Sequence, residues 1–101
     1  MISVRVTRNE EMITRMKVSG HAGSDEYGKD LVCAAVSGIV FGLCNALDLI
    51  AGIDTCTIGN NLITIEIHEP DNTTETIMNT GLIQLKTVQE MNQNFIKITE
   101  V

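Results

Sequence analysis

Leu62-Ile63-Thr64-Ile65-Glu66-Ile67-His68-Glu69-Pro70-Asp71-Asn72 holds the change of period from which the fold can be read. Ile63, Ile65 and Ile67 alternate with Thr64, Glu66 and His68, the period of two that marks a strand with one buried face. Glu69-Pro70-Asp71 breaks that alternation, and Asp71 or Asn72 can cap a helix running to about Met91. Ile77, Met78, Leu82, Leu85 and Val88 recur along one side of this helix. Gly81 lies among them, a contact point for a neighbouring helix.

Working upstream, Gly59-Asn60-Asn61 is a hairpin turn that joins this strand to another at Asp54 to Ile58. Leu31 to about Ile53 carries apolar residues at helical spacing. Within it Ala34, Gly38 and Gly42 form a stripe of small residues that predicts close packing against another element. Ile2 to Thr7 and Met12 to Ser19 alternate around a polar turn at Arg8-Asn9-Glu10-Glu11, a second hairpin, with Met12, Met16 and Val18 inward and Arg15 and Lys17 outward. Phe95 to Val101 ends the chain as a strand with Ile96 and Ile98 inward. The order ββαββαβ predicts a single α+β domain over residues 1–101, a two-layer sandwich with both helices on one face of a mixed sheet. Four of the seven basic residues, Arg5, Arg15, Lys17 and Lys97, then project from the other face.

Composition bounds what such a domain can do. At 101 residues and 44% hydrophobic content the chain can bury one modest core. With 3% aromatic residues and no Trp, that core is aliphatic and offers no platform for stacking bases. A net charge of −6 and a pI near 4.7 oppose non-specific binding to a phosphate backbone, so no direct nucleic-acid binding is expected. A basic protein or peptide suits the charge better. No uninterrupted apolar run of about 20 residues is present to span a bilayer, and Leu31 to Ile53 reads as a core helix of a cytoplasmic protein. Three cysteines with no secretory signal fit free thiols in a reducing compartment. Cys33 and Cys44, eleven positions apart on one helix, lie ~16 Å apart and cannot pair. Cys56 can reach Cys44 in principle, but nothing in the pattern requires it.

The chemistry concentrates between the second strand and the first helix, in Gly20-His21-Ala22-Gly23-Ser24-Asp25-Glu26-Tyr27-Gly28-Lys29-Asp30 and the residues that follow. This is a polar, glycine-punctuated loop with no apolar period, expected on the surface and mobile. Asp30 is a good N-cap, which places Cys33 in the first helical turn, where the helix dipole and unpaired N–H groups favour a thiolate. His21, twelve positions earlier, can return through the loop as the thiol's base, or it is a solvated loop residue. Asp30 either caps the helix or orients His21. Ser37, one turn beyond Cys33, either bonds the sulfur or a substrate carbonyl, or returns a bond to the Cys33 carbonyl. Cys44 and Cys56 read as buried structural residues and His68 as a surface one. No CxxC or HxxxH pair supplies a metal site, and no cofactor is expected.

Gly20-His21-Ala22-Gly23, Tyr27-Gly28-x-Asp30 and Asp30-Leu31-Val32-Cys33-Ala34-Ala35-Val36-Ser37 resemble the signature of the ribosomal-processing cysteine protease family, Prp or YsxB-like. The likeness extends in length and element order over essentially the whole chain. It implies a dimeric cytoplasmic endopeptidase that removes an N-terminal extension from large-subunit ribosomal protein L-twenty-seven, cutting after aromatic residues. In that pattern His21 is the base and Cys33 the nucleophile, with Asp30 and Ser37 in support. Gly20, Ala22, Gly23, Ser24, Tyr27 and Gly28 would form the substrate-binding loop, and Asp25, Glu26 and Asp30 an acidic rim for a basic substrate. Two other classes compete: a non-catalytic acidic assembly factor that holds a basic ribosomal protein, and a thiol redox sensor, which would need a partner thiol for Cys33.

Overall fold

A computed structural model describes residues 1–20 and 27–101, with side chains in the second segment from residue 31 onward. The elements follow the expected order: β1 (Ile2–Asn9), β2 (Met12–Ser19), α1 (Tyr27–Leu49), β3 (Cys56–Gly59), β4 (Leu62–Glu66), α2 (Asn72–Glu90) and β5 (Ile96–Glu100). The five strands form one sheet in the order β3-β4-β2-β1-β5. The two hairpins and the β2–β4 pair are antiparallel, whereas β5 returns through α2 to lie parallel to β1. Val4, Val6, Met16, Val18, Ile63, Ile65 and Ile96 bury one sheet face against Val32, Val36, Val40, Leu43 and Leu47 of α1 and Ile77, Met78, Leu82 and Leu85 of α2. The α+β sandwich with both helices on one face of a mixed sheet is therefore the observed fold.

The first hairpin departs from simple alternation. Thr7 pairs with Arg15 but Arg8 pairs with Ile13, so Thr14 is an extra residue, a β-bulge in β2. The inward positions shift accordingly: Ile13 is fully buried, and Met12, expected inward, is only half-buried. The bulge is fastened by α2, because the Glu75 carboxylate accepts the Ile13 N–H at 2.5 Å and the Asn79 side-chain amide at 3.0 Å. The hairpin closes through Glu10 and Glu11 alone, both in the left-handed region (φ 52° and 71°), as a two-residue turn of matching twist requires.

Both helices have legible ends. Asp71 caps α2 by accepting the Thr74 N–H at 2.8 Å, and the Thr74 hydroxyl accepts the Asp71 N–H at 2.9 Å, a reciprocal capping box. The first helix stops four residues before the expected Ile53. Gly52 turns left-handed (φ 70°) and gives its N–H to the Asp48 carbonyl at 3.1 Å, and the Ile53 N–H reaches back to the Leu47 carbonyl at 3.0 Å.

The small-residue stripe packs differently from expectation. Beside Gly38 and Gly42 there is nothing within 4 Å of where a Cβ would stand, so neither glycine brings another element close. Close approach occurs instead at Gly81 of α2, where an added Cβ would run into the Leu43 side chain. Ala34, Gly38 and Gly42 thus line an open apolar cleft of about 680 Å³ between the helices, with Ile77 and Gly81 on its far side. Contrary to the sequence reading, Leu31–Leu49 is long and apolar enough in composition to cross a bilayer, and only 28% of it is buried. Val32, Val36, Val40, Leu43 and Leu47 nevertheless fasten its inner face to the core.

Candidate active site

The site residues are set by the junction between β2 and α1. Gly20 follows the last β2 residue with φ 78°, and a Cβ there would strike the Met1 carbonyl oxygen, so glycine is required to turn the chain out of the sheet. His21 through Glu26 follow, and with them Ala22, Gly23, Ser24 and the acidic pair Asp25-Glu26; these lie outside the described residues. The backbone resumes as helix at Tyr27, which places Gly28, Lys29 and Asp30 inside α1.

That start corrects two expectations. Asp30 is the fourth residue of α1, so it does not cap the helix, and Cys33 is the seventh, in the second turn instead of the first. The Cys33 amide is then past the four unpaired N–H groups of the helix end and beyond the first turn, to which the dipole's pull is confined.

Cys33 is half-buried and packs against the edge of the core. It shares a flank of α1 with Ser37 one turn on and Cys44 two turns further, all three half-buried beside the core residue Val40. Cys44 identifies where that flank faces: its sulfur is in bonding contact with that of Cys56 on edge strand β3, across a Cα–Cα distance of 5.9 Å suited to a disulfide. Two of the three cysteines are therefore paired, contrary to the expectation of free thiols, and Cys33 is the free one. The pairing needed β3 to lie beside α1, which spacing along the chain does not reveal. His68 is exposed beyond the end of β4 and takes no part in this flank. Among the described residues no group of three or more His, Cys, Asp or Glu could hold a metal ion.

On the opposite flank, toward α2, Leu31, Val32 and Ala35 line a second cleft of about 330 Å³ with Val88 and Met91. The turn that carries Cys33 thus has an aliphatic and Met-lined hollow beside it. A free thiol on a helix anchored to the sheet, with a histidine twelve positions earlier in the sequence, supplies the residue types that nucleophilic catalysis needs.

Known proteins share both sequence and shape with this chain. The family model described as cysteine protease Prp matches residues 1–97. The ribosomal processing cysteine protease Prp of Staphylococcus aureus is 32% identical over 100 residues, covering 93% of this chain and 94% of the relative. The crystal structure of the S. aureus protease with a substrate peptide superposes with a TM-score of 0.83 at 28% identity, over 100% of both chains. A second structure of it, with a covalently linked product peptide, gives a TM-score of 0.79 at 28% identity over 100% of both chains. A Streptococcus mutans protein of known structure gives 0.84 at 27% identity, over 100% of this chain and 94% of the other. With the same fold, and with a family match that takes in the Gly20-to-Ser37 signature, the chain belongs to the Prp family of ribosomal-processing cysteine proteases.

Proposed function

We propose that this cysteine protease removes the N-terminal extension of large-subunit ribosomal protein L-twenty-seven, cutting after aromatic residues, with Cys33 as nucleophile and His21 as general base and acid. The observation that carries the assignment is that Cys33 is the one cysteine left free, on the helix that follows His21 in the sequence. The product peptide held covalently by the S. aureus relative supports a mechanism through a covalent enzyme intermediate.

In this mechanism His21 takes the thiol proton and the Cys33 sulfur attacks the scissile carbonyl carbon. The tetrahedral intermediate collapses as the C–N bond breaks, and His21 returns the proton to the leaving amine. Water, deprotonated by His21, then cleaves the thioester and restores the thiol. Because the Cys33 amide lies past the unpaired turn of α1, oxyanion donors must come from the glycine-rich loop. Asp30 would orient His21, and Ser37 would bond the sulfur or the substrate. Gly20, Ala22, Gly23, Ser24, Tyr27 and Gly28 would close over the peptide.

The enzyme is proposed to work as a cytoplasmic homodimer. Leu31, Leu49, Ile50, Ile83 and Met91 are exposed on the helix layer, apolar surface of the kind that associates. The test of function is mass spectrometry of an extended L-twenty-seven N-terminal peptide incubated with the purified chain. Cleavage after the aromatic residues by the native chain, and none by a folded Cys33→Ala variant, is the expected result. Cleavage by Cys33→Ala at the native rate would overturn the assignment of the nucleophile. An intact peptide with the native chain would overturn the substrate.

A further inference from the structure

The charge of this chain is not spread evenly, and the uneven part lies on the sheet face that no helix covers. Register and alternation place Ser3, Arg5 and Thr7 of β1, Arg15, Lys17 and Ser19 of β2, Thr64 and Glu66 of β4, and Lys97 and Thr99 of β5 on that face, opposite the buried positions. Four cations stand there against one carboxylate, Glu66, which is already engaged by Arg15 at 3.6 Å. The described face is therefore +3 on a chain of −6, so the rest of the molecule carries −9. The net charge that speaks against phosphate binding describes that remainder and not the sheet.

The cations are also placed at a cost. Arg5 and Lys17 are direct cross-strand partners, and Lys97, paired with Ser3, is diagonal to Arg5. Like charges directly opposite on a sheet destabilise it. Among the described residues Arg5, Lys17 and Lys97 form no ion pair to relieve this, in contrast to Arg8 and Lys86 on the helix side, which both bind Glu100. Between the cations the row Thr57–Thr64–Lys17–Arg5–Thr99 is completed by hydroxyls. Leu62 at the end of β4 and, by alternation, Met1 before Ser3 and Val101 after Thr99 put apolar side chains only at the rim of the face, and no strand position on it is aromatic.

We propose that this open sheet face is a docking surface for duplex RNA, held by its phosphates and ribose hydroxyls. Charge complementarity selects a polyanion. The lack of an aromatic anchor argues against an acidic protein, whose interface would be expected to centre on one. It argues equally against single-stranded RNA, which is bound by stacking its bases on aromatic rings. What remains is a broad, flat array of cations and hydroxyls, matched to the wide, shallow minor groove of A-form RNA, where 2′-hydroxyls and phosphates line the surface. Hydroxyls that both donate and accept can pair with the 2′-hydroxyl, which DNA lacks.

The experiment is a fluorescence-anisotropy titration of the full chain with a labelled 20-base-pair RNA duplex. It uses DNA duplex and single-stranded RNA of the same sequence as comparisons and polyglutamate as competitor. Duplex RNA should bind at 50 mM salt with log affinity falling about threefold as steeply as log salt rises. Arg5→Gln/Lys17→Gln should lose about tenfold or more in affinity and make that slope shallower by about 2. Its thermal melt should not fall, since a repulsive pair has been removed. Lys86→Gln, on the opposite layer, should bind as the native chain does. No binding to duplex RNA, equal binding by the double variant, equal binding of duplex DNA, or displacement by polyglutamate at equal charge would each overturn the assignment.

Discussion

The Leu43 side chain of α1 occupies the space that a Cβ on Gly81 of α2 would need. Both residues are buried, so the two helices pack closely here. Gly81→Ala should destabilise the fold by about 1–2 kcal/mol, because overpacking a filled core outweighs the gain in helix propensity. Gly38→Ala and Gly42→Ala, which meet nothing, should each raise stability by about 0.5–1 kcal/mol. Urea denaturation of the three variants checks the contrast, and a uniform gain would show that Leu43 yields freely.

The bulge in β2 depends on a carboxylate from the other layer. Glu75 accepts the N–H of Ile13, a fully buried residue, and without it that donor is left unpaired. Glu75→Ala should cost about 1.5–3 kcal/mol. Amide exchange at Ile13 should accelerate well beyond that at Val18, which lies in regular pairing with Val4 and Ile63.

The Cys44–Cys56 pair spans 12 positions and should contribute about 2–3 kcal/mol when closed. A reductant should lower the melting temperature of the native chain and leave that of Cys44→Ser/Cys56→Ser unchanged. Under non-reducing denaturation, iodoacetamide should modify one thiol per chain, at Cys33; three modified thiols would show the pair to be open.

Glu100 receives Lys86 at 2.8 Å and Arg8 at 3.2 Å, which join α2 and β1 to the end of β5. The Lys86 hydrogen bond, then that of Arg8, holds its carboxyl below the ordinary glutamate value. A depressed folded-state pKa stabilises above the unfolded value, near 4.3, and that contribution is lost as pH falls through the folded one. Glu100→Gln should therefore lower stability at pH 7, by no more than about 1 kcal/mol for so exposed a group, and flatten the acid limb below pH 4.5. Equal acid limbs in the two proteins would remove Glu100 as the linked group.

Much of this structure is legible from local pattern. The isoleucine alternation in β4, the Asp71 cap and the apolar stripe of α2 depend on near neighbours, and each stands where period and capping chemistry put it. Three features depend on partners far along the chain and could not be read that way. Ile13 displaces Met12 inward because Thr14 bulges, and the bulge is held by Glu75, 62 positions away. Cys44 meets Cys56 because β3 folds back beside α1. Gly38 and Gly42 stay open because Leu43 alone meets Gly81. At the site, the Cys33 signature is a local pattern and so was visible, but Asp30 looked like a cap because nothing in its side chain tells a cap from a first-turn acid.

The tie between Cys44 and Cys56 has a mechanical consequence for the thiol at Cys33. The disulfide at Cys44 and the Leu43–Gly81 contact grip α1 within a single turn, so the C-terminal part of the helix is clamped to the edge of the sheet and to its partner helix at once. Cys33 stands eleven residues toward the N-terminal end of α1, ~16 Å from the clamp. Val32, Val36 and Val40 are the buried side chains that seat the helix along this span. Reduction of the disulfide would therefore leave those valines and the Leu43–Gly81 contact as what holds the turn that carries the sulfur.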